Sequence, residues 1–363
     1  MIKPRALLAA LLPLLPLNLY AYNPSDHKAF AGDAAESVCA EQPAGPFCSE
    51  LAANLPFLLH GAIMEDKAAK GHKETFNGVE FRDEEKDSYG PCSEYVVTGK
   101  KYMYCNHYFF LESYLAGGPE GSCGSNMLGA TNPDCGKKGH RWESARQRGL
   151  RLWTQKVIPY YVSARPDGKA RAFYWLGRVA HLLADVAVPA HDTPHKMGYA
   201  EFEHRAFEYE AGHVGTGPLP AETVPTDLSA LYTGLAGRTL EINGAVRAAE
   251  CRRSPQAKGC DKMRATPTLP LESGGFVRDT LLTDAIMKGK AKALNTTEMK
   301  AERALARKQL AVIKPLTVAY TARLLELFGV QTGLSVQDIE VPVEVPTGDA
   351  FEGRAVNFDG ALR

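Results

Sequence analysis

One segment limits what this chain can fold into more than any other: residues 173–191, FYWLGRVAHLLADVAVPAH. Its apolar residues recur at three and four, the period of a helix. His181 and Asp185 sit inside that apolar stripe, four residues apart, so on a helix they share a face. An imidazole and a carboxylate in such a place are costly to bury unless paired or coordinated. Pro189 should break this helix, so that His191 can turn towards a second pair, His204 and Glu208, which repeats the four-residue spacing. His191, His204 and Glu208 would then offer three nitrogen and oxygen ligands and leave a position open, as catalytic zinc requires. A single His–Asp pair is ordinarily a surface pair. Two pairs and a further histidine around one apolar run make metal binding the stronger reading.

The remaining pattern is also helical. Periodic apolar residues cover 142–163, 170–187, 199–214, 226–249 and 277–293. In 299–329 a broad stripe of Leu305, Val312, Leu316, Ala319, Tyr320, Leu324, Leu327 and Phe328 reads as core packing, with Pro315 expected to kink or split it. No alternating run is long enough to found a major sheet. Residues 67–106 and 114–141 read as long loops. The expected fold is therefore all-α: one multi-helix domain over 22–330, with long disulfide-pinned loops and a short extended tail over 331–363. Equal numbers of basic and acidic side chains, 42 each, argue against a polycationic nucleic-acid binder. One long apolar run at the N-terminus, with no second, argues against a multi-span membrane protein.

That run belongs to residues 1–21, MIKPRALLAALLPLLPLNLYA. Lys3 and Arg5 precede a short apolar stretch, and Ala21 is the small residue before a cleavage point, the pattern of a secretory signal peptide. Cleavage there would leave Tyr22 first, in a secreted or periplasmic protein. The eight cysteines fit an oxidising compartment. Eight cysteines allow 105 pairings. Neighbours are expected to pair, Cys39–Cys48, Cys92–Cys105, Cys123–Cys135 and Cys251–Cys260, each closing a loop worth roughly 2–3 kcal/mol.

The arrangement H-x3-D-x5-H followed by H-x3-E resembles the trinuclear-zinc family of bacterial phospholipases C, which also includes the fungal single-strand-specific nucleases. The proline before the third ligand is part of that pattern. Upstream, Gly61-Ala-Ile-Met-Glu-Asp66 is similar to the family's loop ending in a metal-binding Asp, and Asn106-His107-Tyr-Phe to its His-Phe-Tyr ligand motif. Trp142-Glu-Ser-Ala145 resembles the helix start between that motif and the signature. The resemblance runs from 22 to about 214 by motif. It implies three zinc ions: one on Asp66, His107, His181 and Asp185; a second on His191, His204 and Glu208; a third on His27, bridging Asp185, and the amine and carbonyl of Tyr22. Two departures stand out. Tyr22 replaces the family's terminal Trp, and 40 residues separate Asp66 from His107, so that Asp83 and Asp87 rival Asp66. His60, His72, His140, His195 and His213 have no matching partner and read as structural or exposed.

The resemblance implies phosphodiester hydrolysis, with zinc-activated water and Asp66 as general base. The first expectation is a monomeric phospholipase C acting peripherally on a membrane surface, with phosphatidylcholine as substrate and no stable nucleic-acid complex. The short interval from His191 to His204 favours it. The alternative is a nuclease or 3′-nucleotidase, which the short interval from Tyr22 to His27 favours. Aromatics such as Tyr104, Tyr108, Phe109 and Tyr199 could stack on bases or enclose a choline.

Overall fold

The computed structural model describes residues 22, 24–40, 43–67, 73–82, 107–115, 117, 120, 143–192, 200–221, 223–253 and 297–334; at 112, 113, 190, 200–205, 251 and 297–299 it describes the backbone alone. The leader 1–21, the helical pattern at 277–293, the residues after 334 and the disulfides expected at Cys92–Cys105, Cys123–Cys135 and Cys251–Cys260 lie outside the described residues.

Helices dominate: α1 (Pro24–Cys39), α2 (Pro46–Met64), α3 (Leu111–Leu115), α4 (Ala145–Leu152), α5 (Ile158–Val162), α6 (Gly168–Asp185), α7 (Pro189–Asp192), α8 (Ala200–Ala211), α9 (Leu228–Arg253) and α10 (Thr297–Gln331). This is the mostly helical architecture expected. A π-helical stretch, Trp153–Val157, joins α4 to α5. The sequence reading did not single out α1 and α2 as helices. They are tied end to start by the expected disulfide Cys39–Cys48.

α6 is the centre of the molecule. Every residue from Ala172 to Asp185 is buried, which marks a helix enclosed on all sides. α2 packs along it at very short range. A Cβ on Gly177 would sit 2.0 Å from the Leu58 carbonyl oxygen, and one on Gly61 would sit 1.9 Å from that of Tyr174. Glycine at both crossing points lets the two backbones touch. α2 is itself long and apolar enough to cross a membrane by length and composition, so the N-terminal run is not alone in that respect. In the fold its apolar side chains Leu51, Leu58 and Ala62 are buried in the shared core. α10 closes the other side against α1, α8 and α9.

Three expectations need correction. Within 67–106, read as loop, Lys73–Phe76 and Val79–Arg82 pair as an antiparallel hairpin. Its turn residues Asn77 and Gly78 both have positive φ, 47° and 78°, as a tight two-residue hairpin turn demands. Phe81 stacks on Tyr174 at 4.0 Å and Phe76 on His60 at 3.9 Å, seating the hairpin on α2 and α6. Second, Pro315 does not split the last helix: α10 runs unbroken for 35 residues. Leu310, Ile313, Leu316, Leu324 and Phe328 are buried on both sides of the proline, enough to offset a helix penalty of about 3 kcal/mol. Third, Val312 lies on the exposed side rather than in the core stripe.

The glycine contact makes a test of this packing. Gly177→Ala should lower the unfolding free energy by about 1–3 kcal/mol or more, because the clash is with backbone that cannot rotate away. Urea unfolding followed by circular dichroism measures it, and unchanged stability would contradict the close crossing.

Candidate metal centre

Four segments converge where α6 ends. The last turn of α2 continues as a 3-10 turn, Glu65–Lys67, which carries Asp66. α6 supplies His181 and Asp185 one turn apart, and the first turns of α1 supply His27. His107 opens a short extended segment pinned on both sides: Phe109 N–H donates to the His191 carbonyl (3.0 Å) and Ala145 N–H to the Tyr108 carbonyl (3.0 Å). The second of these bonds is fixed because Ser144 caps α4 through a reciprocal bond with Gln147. α6 ends at Asp185 and Pro189 opens α7, whose His191 faces the His107 carbonyl.

The donor atoms of His107, His181 and Asp185 close on one point, and Asp66 stands beside them. His107 Nδ1 lies 2.6 Å from Asp185 Oδ2, 3.3 Å from His181 Nε2 and 3.9 Å from Asp66 Oδ1. His181 Nε2 lies 3.3 Å from Asp185 Oδ2 and 3.5 Å from Asp66 Oδ1. A divalent ion held tetrahedrally at about 2.0–2.2 Å sets its ligand atoms roughly 3.3–3.6 Å apart, in the middle of these separations. On the other side of Asp185, Oδ1 lies 3.6 Å from His27 Nε2, whose ring stacks on His181 at 3.5 Å. Asp185 thus turns one oxygen to each imidazole group. All five side chains are buried.

The surroundings prepare these groups for a cation. His181 Nδ1 donates to the Ala62 carbonyl at 2.7 Å, and His191 Nδ1 to that of His107 at 3.0 Å. Each bond places a proton on Nδ1 and leaves Nε2 as the nitrogen a metal would take. Both oxygens of Asp66, both oxygens of Asp185 and both ring nitrogens of His27 are buried without an aligned hydrogen bond. Burial, then the neighbouring His181, pushes the His27 pKa well down, so its ring is neutral. Burial opposes the Asp185 charge, but His181 and His107 outweigh it and hold that carboxyl well below the usual range. Burial likewise opposes charge on His181, and the carboxylates of Asp185 and Asp66 raise it. The buried groups His27, Asp66, His181 and His107, His181, Asp185 could each hold a metal ion.

Five of the nine predicted residues are therefore assembled here. Tyr22 packs beside them, fully buried, with its ring edge-on to His27 at 5.6 Å. His191 is buried against Tyr108, with ring centres 4.5 Å apart. Glu208 lies on α8 with Oε1 buried. His204 lies on the same helix, and its side chain is outside the described residues, as are Asp83 and Asp87. His60 faces Glu74 of the hairpin at 3.1 Å and exposed His213 stacks on Tyr209, both apart from the cluster. His72, His140 and His195 lie outside the described residues.

Sequence reasoning missed two features. Glu65, fully buried, accepts hydrogen bonds from Arg178 Nε (2.5 Å) and from Arg148 through Nε and a terminal nitrogen, the latter at 3.2 Å. The signal was present: Arg178 sits in the same apolar stripe as His181, where the cost of burying charge applies equally. Asp192, next to His191, is also fully buried with neither oxygen hydrogen-bonded, and burial drives its carboxyl well up.

Compared with protein-family models and with curated proteins, the chain gives no match.

Because Asp185 turns one oxygen to His27 and the other to His107 and His181, Asp185→Asn should abolish divalent-metal uptake on both sides, whereas Asp66→Asn should weaken the group of His27, Asp66 and His181 more. Metal content per folded chain after dialysis reads this out. Loss at one group only in Asp185→Asn would contradict the bridging role.

Proposed function

We propose that this chain is an exported zinc-dependent phosphodiester hydrolase, a phospholipase C acting on glycerophospholipid. The observation that supports this most is the pair of buried donor groups, His107, His181, Asp185 and His27, Asp66, His181, which share His181 and could each hold a metal ion. Two imidazoles and one carboxylate in each group suit zinc better than magnesium or calcium, which favour oxygen alone. Zinc bound there supplies Lewis acidity, which acidifies water near neutral pH and offsets charge on a phosphoryl group.

The chain's own residues complete the scheme. His107 and His181 contribute neutral imidazoles, their orientation set by the pinned 107–110 segment and the Ala62 carbonyl. Asp66, whose oxygens accept no hydrogen bond from the protein, takes the proton of the attacking water. His27 with the backbone of Tyr22 forms one flanking site, and His191, His204 and Glu208 the other, so that three zinc ions are expected. Removal of residues 1–21 frees the Tyr22 amine for the first of these. The disulfide Cys39–Cys48 accords with export, since such bonds persist in oxidising compartments. The enzyme meets its lipid peripherally, at the membrane surface. The nuclease reading rests on the five-residue step from Tyr22 to His27.

The deciding experiment offers the purified mature protein phosphatidylcholine vesicles and single-stranded DNA in parallel. Release of phosphocholine and diacylglycerol, lost in Asp66→Asn by about 100-fold or more as expected of a general base, supports the lipase. DNA cleavage with inert lipid replaces it with the nuclease.

A further inference from the structure

We propose that Glu65, gripped by Arg148 and Arg178, is the positioning residue that aims Asp66 at the imidazoles of His107 and His181. The proposal rests on the metal-binding reading of that cluster.

A metal-ligating side chain ordinarily takes its orientation from hydrogen bonds of its own. Asp66 has no aligned one: both oxygens are buried, and Oδ1 lies 3.5 Å from His181 Nε2 and 3.9 Å from His107 Nδ1. Its direction must therefore come largely through the backbone, and the residue before it is a buried carboxylate held by two guanidiniums. Glu65 is fully buried and accepts charge-assisted bonds from two guanidinium groups on two different helices. Such forks fix angle as well as distance.

The same network reaches three of the four segments that carry a ligand. Arg178 lies on α6 three residues before His181, so the two share a helix face. His181 bonds back to Ala62, in the last turn of α2, three residues before Glu65. α6 and the end of α2 are thus stitched together at two points, and Asp66 follows at once. Arg148 comes from α4, whose first N–H holds the Tyr108 carbonyl and with it the segment that begins at His107. One buried carboxylate therefore registers the segments bearing Asp66, His107 and His181 against each other.

Two variants test this in the full mature chain. Glu65→Gln keeps the shape and removes the charge. Arg178→Lys keeps the charge and removes the fork; it is the milder change, and it decides the matter if Glu65→Gln does not fold. Phe328→Leu, in the aromatic cluster with Trp153, Tyr161 and Phe173, serves as a destabilised control remote from the ligands. Metal-free proteins are titrated with zinc against a competing chelator, and cobalt(II) forms are read by visible absorption, at a temperature where circular dichroism shows each folded. Both network variants should bind the tightest ion about 10- to 100-fold more weakly and lose the intense tetrahedral cobalt bands, while the control retains both. Wild-type affinity and spectrum in a network variant, or equal weakening in Phe328→Leu, overturns the positioning role and leaves the metal reading standing. Failure of the wild-type protein to take up zinc or cobalt overturns both.

Discussion

The structure turns on the burial of charge in α6. A helix enclosed on every side is normally apolar throughout, because each charged group must leave water. α6 nevertheless carries Arg178, His181 and Asp185, all buried. Arg178 is answered by Glu65. His181 and Asp185 are answered only in part, by Ala62, by each other and by His107. Breaking a buried ion pair ordinarily costs about 3–5 kcal/mol, so a fold does not keep such groups half-satisfied without a reason. A cation shared by the inward-facing donors supplies one.

The backbone contact between Gly61 and Gly177 serves the same end. It brings the close of α2 against the middle of α6, so that Asp66 arrives beside His181. The hairpin at 73–82 then covers the far side of this crossing, with Tyr174 donating to Glu74 at 2.9 Å. α1 lays His27 over His181 from a third direction. A cluster whose members come from α1, α2, α6 and the 107–110 segment is assembled only when the whole fold is.

Much of this was legible in the sequence, for definite reasons. His181 and Asp185 showed themselves because polar residues interrupting an apolar period of 3.6 must be explained. The proline at 189 marked the start of α7, which carries His191. Arg178 obeyed the same rule and was passed over because arginine was not being sought as a ligand. The hairpin had its signal in Asn77-Gly78, but its strands, though they alternate, are only 4 residues long and too short to stand out. Pro315 did not split its helix, because packing on either side offsets the local helix penalty. His107 and Asp66 could be paired only through family resemblance, since 40 residues separate them and no local period links the two.

Anomalous diffraction from crystals of the mature protein, recorded on both sides of the zinc absorption edge, addresses the central claim most directly. The account predicts an edge-dependent peak among His107 Nδ1, His181 Nε2 and the carboxylates of Asp66 and Asp185, with bonds of about 2.0–2.2 Å. Density there that is only ordered water, hydrogen-bonded to rings and carboxylates after growth with added zinc, would contradict it.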